Sequence, residues 1–169
     1  MINSSNNLPL ENHLSYLYIL RSEFWEVNDF INTLKDYEHF VLDVRESTPI
    51  QNSLNIAVVI SYARNFKSSH GFSNIDMKAN LIKHFTNEEK ELHKQMIDWR
   101  DQEYAHSDSL PNDIQIYFDG GYSRRVVRQL LEKNQLEMLK AMVVKIRNEI
   151  ENQINEQIGK RHSHIKVKK

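Results

Sequence analysis

The apolar residues Val127, Leu130, Leu131, Leu139, Met142, Val143, Ile146, Ile150, Ile154 and Ile158 recur at steps of three and four. This is the period that places side chains on one face of an α-helix, sustained for about nine turns. The same period runs earlier, through Leu14, Leu17, Tyr18, Phe24, Trp25, Val27, Phe30, Ile31 and Leu34, and predicts a helix over roughly 11–38. Two long helices that each carry an apolar stripe must bury it against other elements. With only four glycines and three prolines in 169 residues, the chain has few places to stop a helix.

Local signals divide the rest. Thr48 before Pro49 is an N-cap followed by the residue that best tolerates the first helical position, so a helix opens there and is expected to end near Phe66. His39 to Arg45 reads either as more of the first helix or as a bend into the second. Lys67 to Asn74 reads as a loop, and Ile75 to Phe85 has room for one short helix. Thr86 and Glu89 form a capping-box pattern that opens a helix over about 87–105. The alternation Ile114, Ile116, Phe118 before Gly120-Gly121 suggests a short extended piece, with Ser123 as cap of the last helix. The expectation is an all-α antiparallel bundle of four to five long helices, with a short irregular or extended excursion before the last one. A flexible entry (1–10), one helical domain (11–158) and a basic tail (159–169) make up the chain.

Composition excludes several functions. Without cysteine there is no disulfide, thiolate zinc site or cysteine nucleophile. The longest apolar run, Ile56 to Ile60, is far below the roughly 20 residues that span a bilayer, and the Asn- and Ser-rich start lacks the basic and apolar regions of a secretory signal. A cytoplasmic protein without membrane contact is expected. Net charge is −1, but Lys160, Arg161, Lys166, Lys168 and Lys169 place +5 in the last ten residues, leaving −6 elsewhere. Such a tail is either a contact for RNA phosphates or a solvated end.

The residues richest in chemistry lie between Leu92 and Asp108, where His93, Asp98, Arg100, Asp101, Glu103, Tyr104 and His106 gather. At 100° per residue His93 and Arg100 share a face two turns apart, whereas Arg100 and His106 point about 120° apart. Convergence of those two within one chain needs the helix to end or kink between them; in a symmetric dimer they can meet counterparts across the two-fold axis. No pair stands at His-x-x-x-His or Glu-x-x-His spacing, so no metal or cofactor is expected. His162-x-His164 lacks further ligands, Gly120-Gly121 lacks the setting of a phosphate-binding loop, and no serine stands in a nucleophile elbow.

Arg100, five intervening residues and His106 match the Arg-x(4 to 6)-His signature of HEPN domains, which this chain resembles also in its helical architecture. Locally the resemblance covers Tyr62-Ala63-Arg64 on one helix, and Arg100-Asp101 with Ala105-His106-Ser107 on the next. HEPN domains are helical bundles frequent in toxin–antitoxin and phage-defence loci. The resemblance implies metal-independent RNA cleavage by a homodimer, with Arg100 and His106 as the catalytic pair and an antitoxin or other partner protein as controller. Asp101 and Tyr104 are then candidates to orient the pair, and Arg64 or His93 to bind a flanking phosphate.

Each of these residues also has a structural reading. On the helix wheel His106 shares a face with Leu92, Met96 and Trp99, as a buried ring satisfying a helix end would. Arg100 and Arg64 suit ion pairs with neighbouring carboxylates, and His93 suits a structural or solvated position. The alternative to the nuclease is thus a catalytically inactive helical dimer that binds protein or RNA. The long stripe on the last helix is either covered within one protomer or shared between two through the terminal helices.

Overall fold

A computed structural model describes residues 10–66, 79–101, 112–116, 122–126 and 129–167. Among them are four long helices and one strand pair: α1 (Leu10–Lys35), α2 (Pro49–Arg64), α3 (Asn87–Trp99), β1 (Asn112–Ile116), β2 (Tyr122–Val126) and α4 (Lys133–Val167). α1 packs on α2 and α4, α2 on α3, and α3 on α4, so the helices close a four-membered ring.

Side-chain pairs give the directions. Arg21 meets Glu151 and Lys35 meets Glu137, so moving 14 residues forward on α1 moves 14 residues back on α4. α3 and α4 behave likewise, through Glu89 with Lys145 and Gln95 with Gln135. α1 and α2 are joined at one end by Tyr37 with Thr48 and at the other by Glu26 with Arg64. The bundle is therefore up-down-up-down. The C-terminal ends of α1 and α3 share the upper end with the starts of α2 and α4.

Two of the three expected caps, at Thr48 and Thr86, are present. Thr48 Oγ1 accepts from the Gln51 backbone N–H at 3.1 Å with Pro49 as first helical residue. Thr86 and Glu89 make the reciprocal capping box, at 3.2 and 2.7 Å. Each such cap contributes about 1 kcal/mol. The core joins the stripes of α1 and α4: Leu17, Phe24, Val27 and Ile31 are fully buried, as are Leu136, Leu139, Met142, Val143, Ile146 and Ile150. Covering a Leu or Ile side chain contributes about 1.5–3 kcal/mol, so this seam is the main term holding the long helices together.

Several boundaries differ from the sequence expectation. α1 stops at Lys35, and the ambiguous stretch after it is a series of turns. It is pinned by the fully buried Gln51, whose amide donates to the Val41 carbonyl at 2.6 Å and accepts from the Val41 N–H at 3.0 Å. Ser123 caps no helix: it lies in β2, paired with Gln115 of β1, and α4 begins at Lys133. Leu130 and Leu131 are buried but precede that helix. Buried Asn55 holds this approach, donating to the Gln129 carbonyl at 3.1 Å and accepting from the Leu131 N–H at 2.9 Å. The expected tail is mostly helix as well, because α4 runs unbroken past Gly159 to Val167. A lone glycine costs a helix only about 1 kcal/mol, too little to stop one of 35 residues.

Candidate functional site

α3 keeps α-geometry through Trp99 and then widens into a π turn at Arg100 and Asp101. The Arg100 backbone N–H is shared between the Met96 and Ile97 carbonyls. Behind it Leu92, Met96 and Trp99 are buried, which fixes the helix face and leaves Arg100 on its flank. The guanidinium is part-exposed and its Nη1 donates to Asp101 Oδ1 at 2.8 Å. Its Nε is buried without a hydrogen-bond partner among the described residues. A buried N–H left unmade costs on the order of 1–3 kcal/mol, and single π turns recur where a helix presents functional groups. His106 and Tyr104, expected to work with Arg100 and Asp101, lie outside the described residues.

His93 shares the α3 face with Arg100 as the wheel predicts, but its surroundings differ entirely. Its ring packs edge-on against Phe66 at 4.5 Å, with Tyr62 at 5.8 Å and Phe85 at 6.1 Å. Its Nδ1 lies 2.9 Å from Tyr62 Oη. Burial in this aromatic cage lowers its pKa to about 4. Tyr62 is fully buried, and burial together with the charge of Glu89 pushes its phenol well above its ordinary range, so it keeps its proton and can donate to the neutral imidazole. An uncharged, caged ring is no phosphate ligand. His93 is a half-buried residue packed into the aromatic cluster between α2 and α3.

Arg64 also departs from the phosphate-binding expectation. It is bound to Glu26 at 2.9 Å, with Glu23 at 3.8 Å, both on α1. The Tyr62–His93 contact marks a common level on α2 and α3. From there, two residues on to Arg64 and seven on to Arg100 lead in opposite directions, an axial separation of about 13 Å at 1.5 Å per residue. The fold does not bring the two arginines together.

The basic residues divide similarly. Lys160, Arg161 and Lys166 stand on the last turns of α4, at the lower end of the bundle and away from Arg100, while Lys168 and Lys169 lie outside the described residues. The apolar stripe of α4 is covered by its own protomer, with Ile154 still only 3% exposed, so it supplies no motive for pairing two chains through the terminal helices.

Three features went unseen in the sequence. Tyr18 and Trp25, counted there with the apolar stripe, stand on the outer side of α1 at 39% and 48% exposure. The Arg147 guanidinium lies 3.3 Å over the Trp25 ring. At the lower end, buried Glu89 binds Lys145 at 2.7 Å, and buried Glu149 binds Lys83 at 3.0 Å. Burial alone would raise the Glu149 carboxyl, but hydrogen bonds from Gln153 and Lys83 hold it below its ordinary value. Third, α3 and α4 border an open groove of about 490 Å³, with Leu92 and Met138 along it beside Gln95, Gln135, Glu88 and Glu91. Capping and helix-face patterns contain Glu88 and Glu91 without signalling a groove, because the opposite wall, Gln135 and Met138, comes from 40 to 50 residues later in the chain.

Among the described residues no three His, Asp or Glu side chains converge as metal ligands do, and no helix is long and apolar enough to cross a membrane. No family model, no curated protein and no solved structure matches the chain.

Proposed function

We propose that this chain is a metal-independent endoribonuclease of the HEPN kind, acting as a cytoplasmic homodimer in which each protomer contributes Arg100 and His106 to a shared cleft. The observation that carries the reading is the end of α3. The regular α-helix ends at Arg100, the first residue of the Arg-x5-His pattern, on a part-exposed guanidinium whose buried Nε–H meets no hydrogen-bond partner among the described residues.

The chemistry suits these residue types. The substrate's 2′-oxygen attacks the adjacent phosphorus as the bond to the 5′-oxygen breaks, leaving a 2′,3′-cyclic phosphate and a 5′-hydroxyl. A histidine titrating near neutrality takes the 2′ proton or protonates the leaving oxygen, which is the role of His106. Arg100 forks onto two phosphoryl oxygens and stabilises the charge that builds on them. Asp101 positions Arg100 through the 2.8 Å contact, and Tyr104 is a further orienting group. Lys160, Arg161, Lys166, Lys168 and Lys169 hold RNA distant from the cut. Toxin or phage-defence action under an antitoxin or other partner protein belongs to the same reading.

A second reading is favoured by the Arg100–Asp101 ion pair itself: a guanidinium held at Nη1 by its neighbour serves an inactive binding module as well as an enzyme. Purified protein and its Arg100→Ala and His106→Ala variants, incubated with mixed RNA in EDTA, separate the two. Fragments ending in 2′,3′-cyclic phosphate from the parent alone support the nuclease. Intact RNA with folded parent protein leaves the binding module.

A further inference from the structure

One side of α1 stays in solvent although it carries two large rings. Tyr18 and Trp25 are two turns apart, about 10 Å along the helix, at 39% and 48% exposure. Both border α4, because Arg21 between them binds Glu151 at 3.4 Å. Each ring also carries a guanidinium: Arg147 of α4 lies 3.3 Å over Trp25, and Arg21 lies 4.8 Å over Tyr18. The exposed Val144 stands one turn above Arg147.

The charges along this seam differ in whether they are engaged. Arg21 is held by Glu151 and Lys35 by Glu137. Arg147 meets no carboxylate among the described residues, and its guanidinium has only the ring. Lys140 shares the face of Arg147 two turns higher, beside a Glu137 that Lys35 already binds. The seam thus carries four cations against two carboxylates, with exposed Asp29 at its outer edge one turn above Trp25. An isologous contact with a second copy would set this surplus of positive charge against itself. Aromatic rings interleaved with cations are instead what holds unpaired nucleotides, bases stacking on ring or guanidinium planes while ammonium groups meet phosphates.

We infer that the outer α1–α4 seam is a stacking platform for single-stranded RNA, one base lying on the Arg147–Trp25 pair, another on the Arg21–Tyr18 pair, and Lys140 meeting the backbone between or beyond them. The inference deepens the nuclease reading, on which RNA as the ligand rests. α1 and α3 are the diagonal pair of the helix ring, so the platform lies across the bundle from Arg100 and holds the strand without touching the cut.

The test is fluorescence anisotropy of a labelled single-stranded 2′-O-methyl RNA of about 12 nucleotides, which has no free 2′-hydroxyl to attack and so reports binding alone. The parent chain is compared with Trp25→Ala, Trp25→Phe and Arg147→Glu, each shown to be folded by circular dichroism. The dissociation constant is expected to rise about tenfold in Trp25→Ala, the loss of one stacked base. Arg147→Glu should weaken binding at least as much and flatten its salt dependence. Trp25→Phe, which keeps a ring, should bind nearly as the parent does. The strand should also quench the parent's tryptophan emission but not that of Trp25→Phe, because the remaining Trp99 is buried. A parent that does not bind, or Trp25→Ala and Arg147→Glu variants that bind as tightly as the parent, overturns the platform. A Trp25-dependent dimer in light scattering, without affinity for the strand, overturns it too and gives the seam to a second copy. Cleavage of unmodified RNA by the same samples judges the nuclease separately. Trp25-dependent binding by a parent that cuts nothing keeps the platform and removes the enzyme, whereas cleavage with binding unchanged across the variants does the reverse.

Discussion

The lower half of α3 and its upper end carry the same kinds of residue in opposite conditions. At Glu89 and His93, each polar side chain is engaged from another element: Glu89 by Lys145 of α4, and His93 by Tyr62 of α2 inside an aromatic cage. Seven residues on, Arg100 at the end of the α-helix is bound to its own neighbour, stands part-exposed, and has a buried N–H that meets no partner among the described residues. Residue type alone does not separate a structural group from an available one. What separates them is whether packing from a distant element has already satisfied it.

The largest effect should distinguish the two arginines. Arg100→Ala is expected to slow RNA cleavage by roughly 10²–10³-fold, the loss typical for removing one charge-stabilising donor, while Arg64→Ala changes it little. Single-turnover rates on one RNA check this, and equal effects would erase the distinction between the two ends.

Next is the pH response of His93. Its folded pKa is depressed to about 4, so the unfolded chain binds the proton first. The stability this neutral ring allows is complete above the unfolded value of about 6.5 and is lost as pH falls through the folded value, in total about 3 kcal/mol. Denaturant melts at pH 7.5 and 4.5 should show that loss in the parent and a smaller one in His93→Phe. Parallel pH profiles would mean that the ring is solvated rather than caged.

Asn55→Ala should destabilise by about 2 kcal/mol, since it strands the buried Leu131 N–H and the Gln129 carbonyl at the entry to α4. Thr48→Ala should cost about 1 kcal/mol through the lost cap. Arg64→Ala, removing only exposed ion pairs, should cost under about 1 kcal/mol. If chemical denaturation reversed this order, the contrast between satisfied interior and solvated surface would fail.

Much of the fold was legible. The three-to-four periods of α1 and α4 report a local geometry that any core must respect, and Thr48-Pro49 and Thr86-x-x-Glu89 act within one turn, so these starts were readable from neighbours alone. The site was less legible. The wheel placed His93 on one face with Arg100, and the resemblance then offered His93 as a ligand for a flanking phosphate, because neither contains anything of Phe66 or Tyr62 on α2. Trp25 was assigned to the interior for the same reason: whether a residue at the edge of a stripe is covered depends on how closely the neighbouring helix approaches.

The sequence by itself determined the four long helices, the caps at Thr48 and Thr86 and the apolar stripes of α1 and α4, since hydrophobic period and capping are properties of a few consecutive residues. Tertiary structure decided which charged and titratable groups are consumed. Glu89 with Lys145, Arg64 with Glu26 and His93 with Tyr62 are contacts across 31 to 56 positions, set by the up-down-up-down ring rather than by any local pattern.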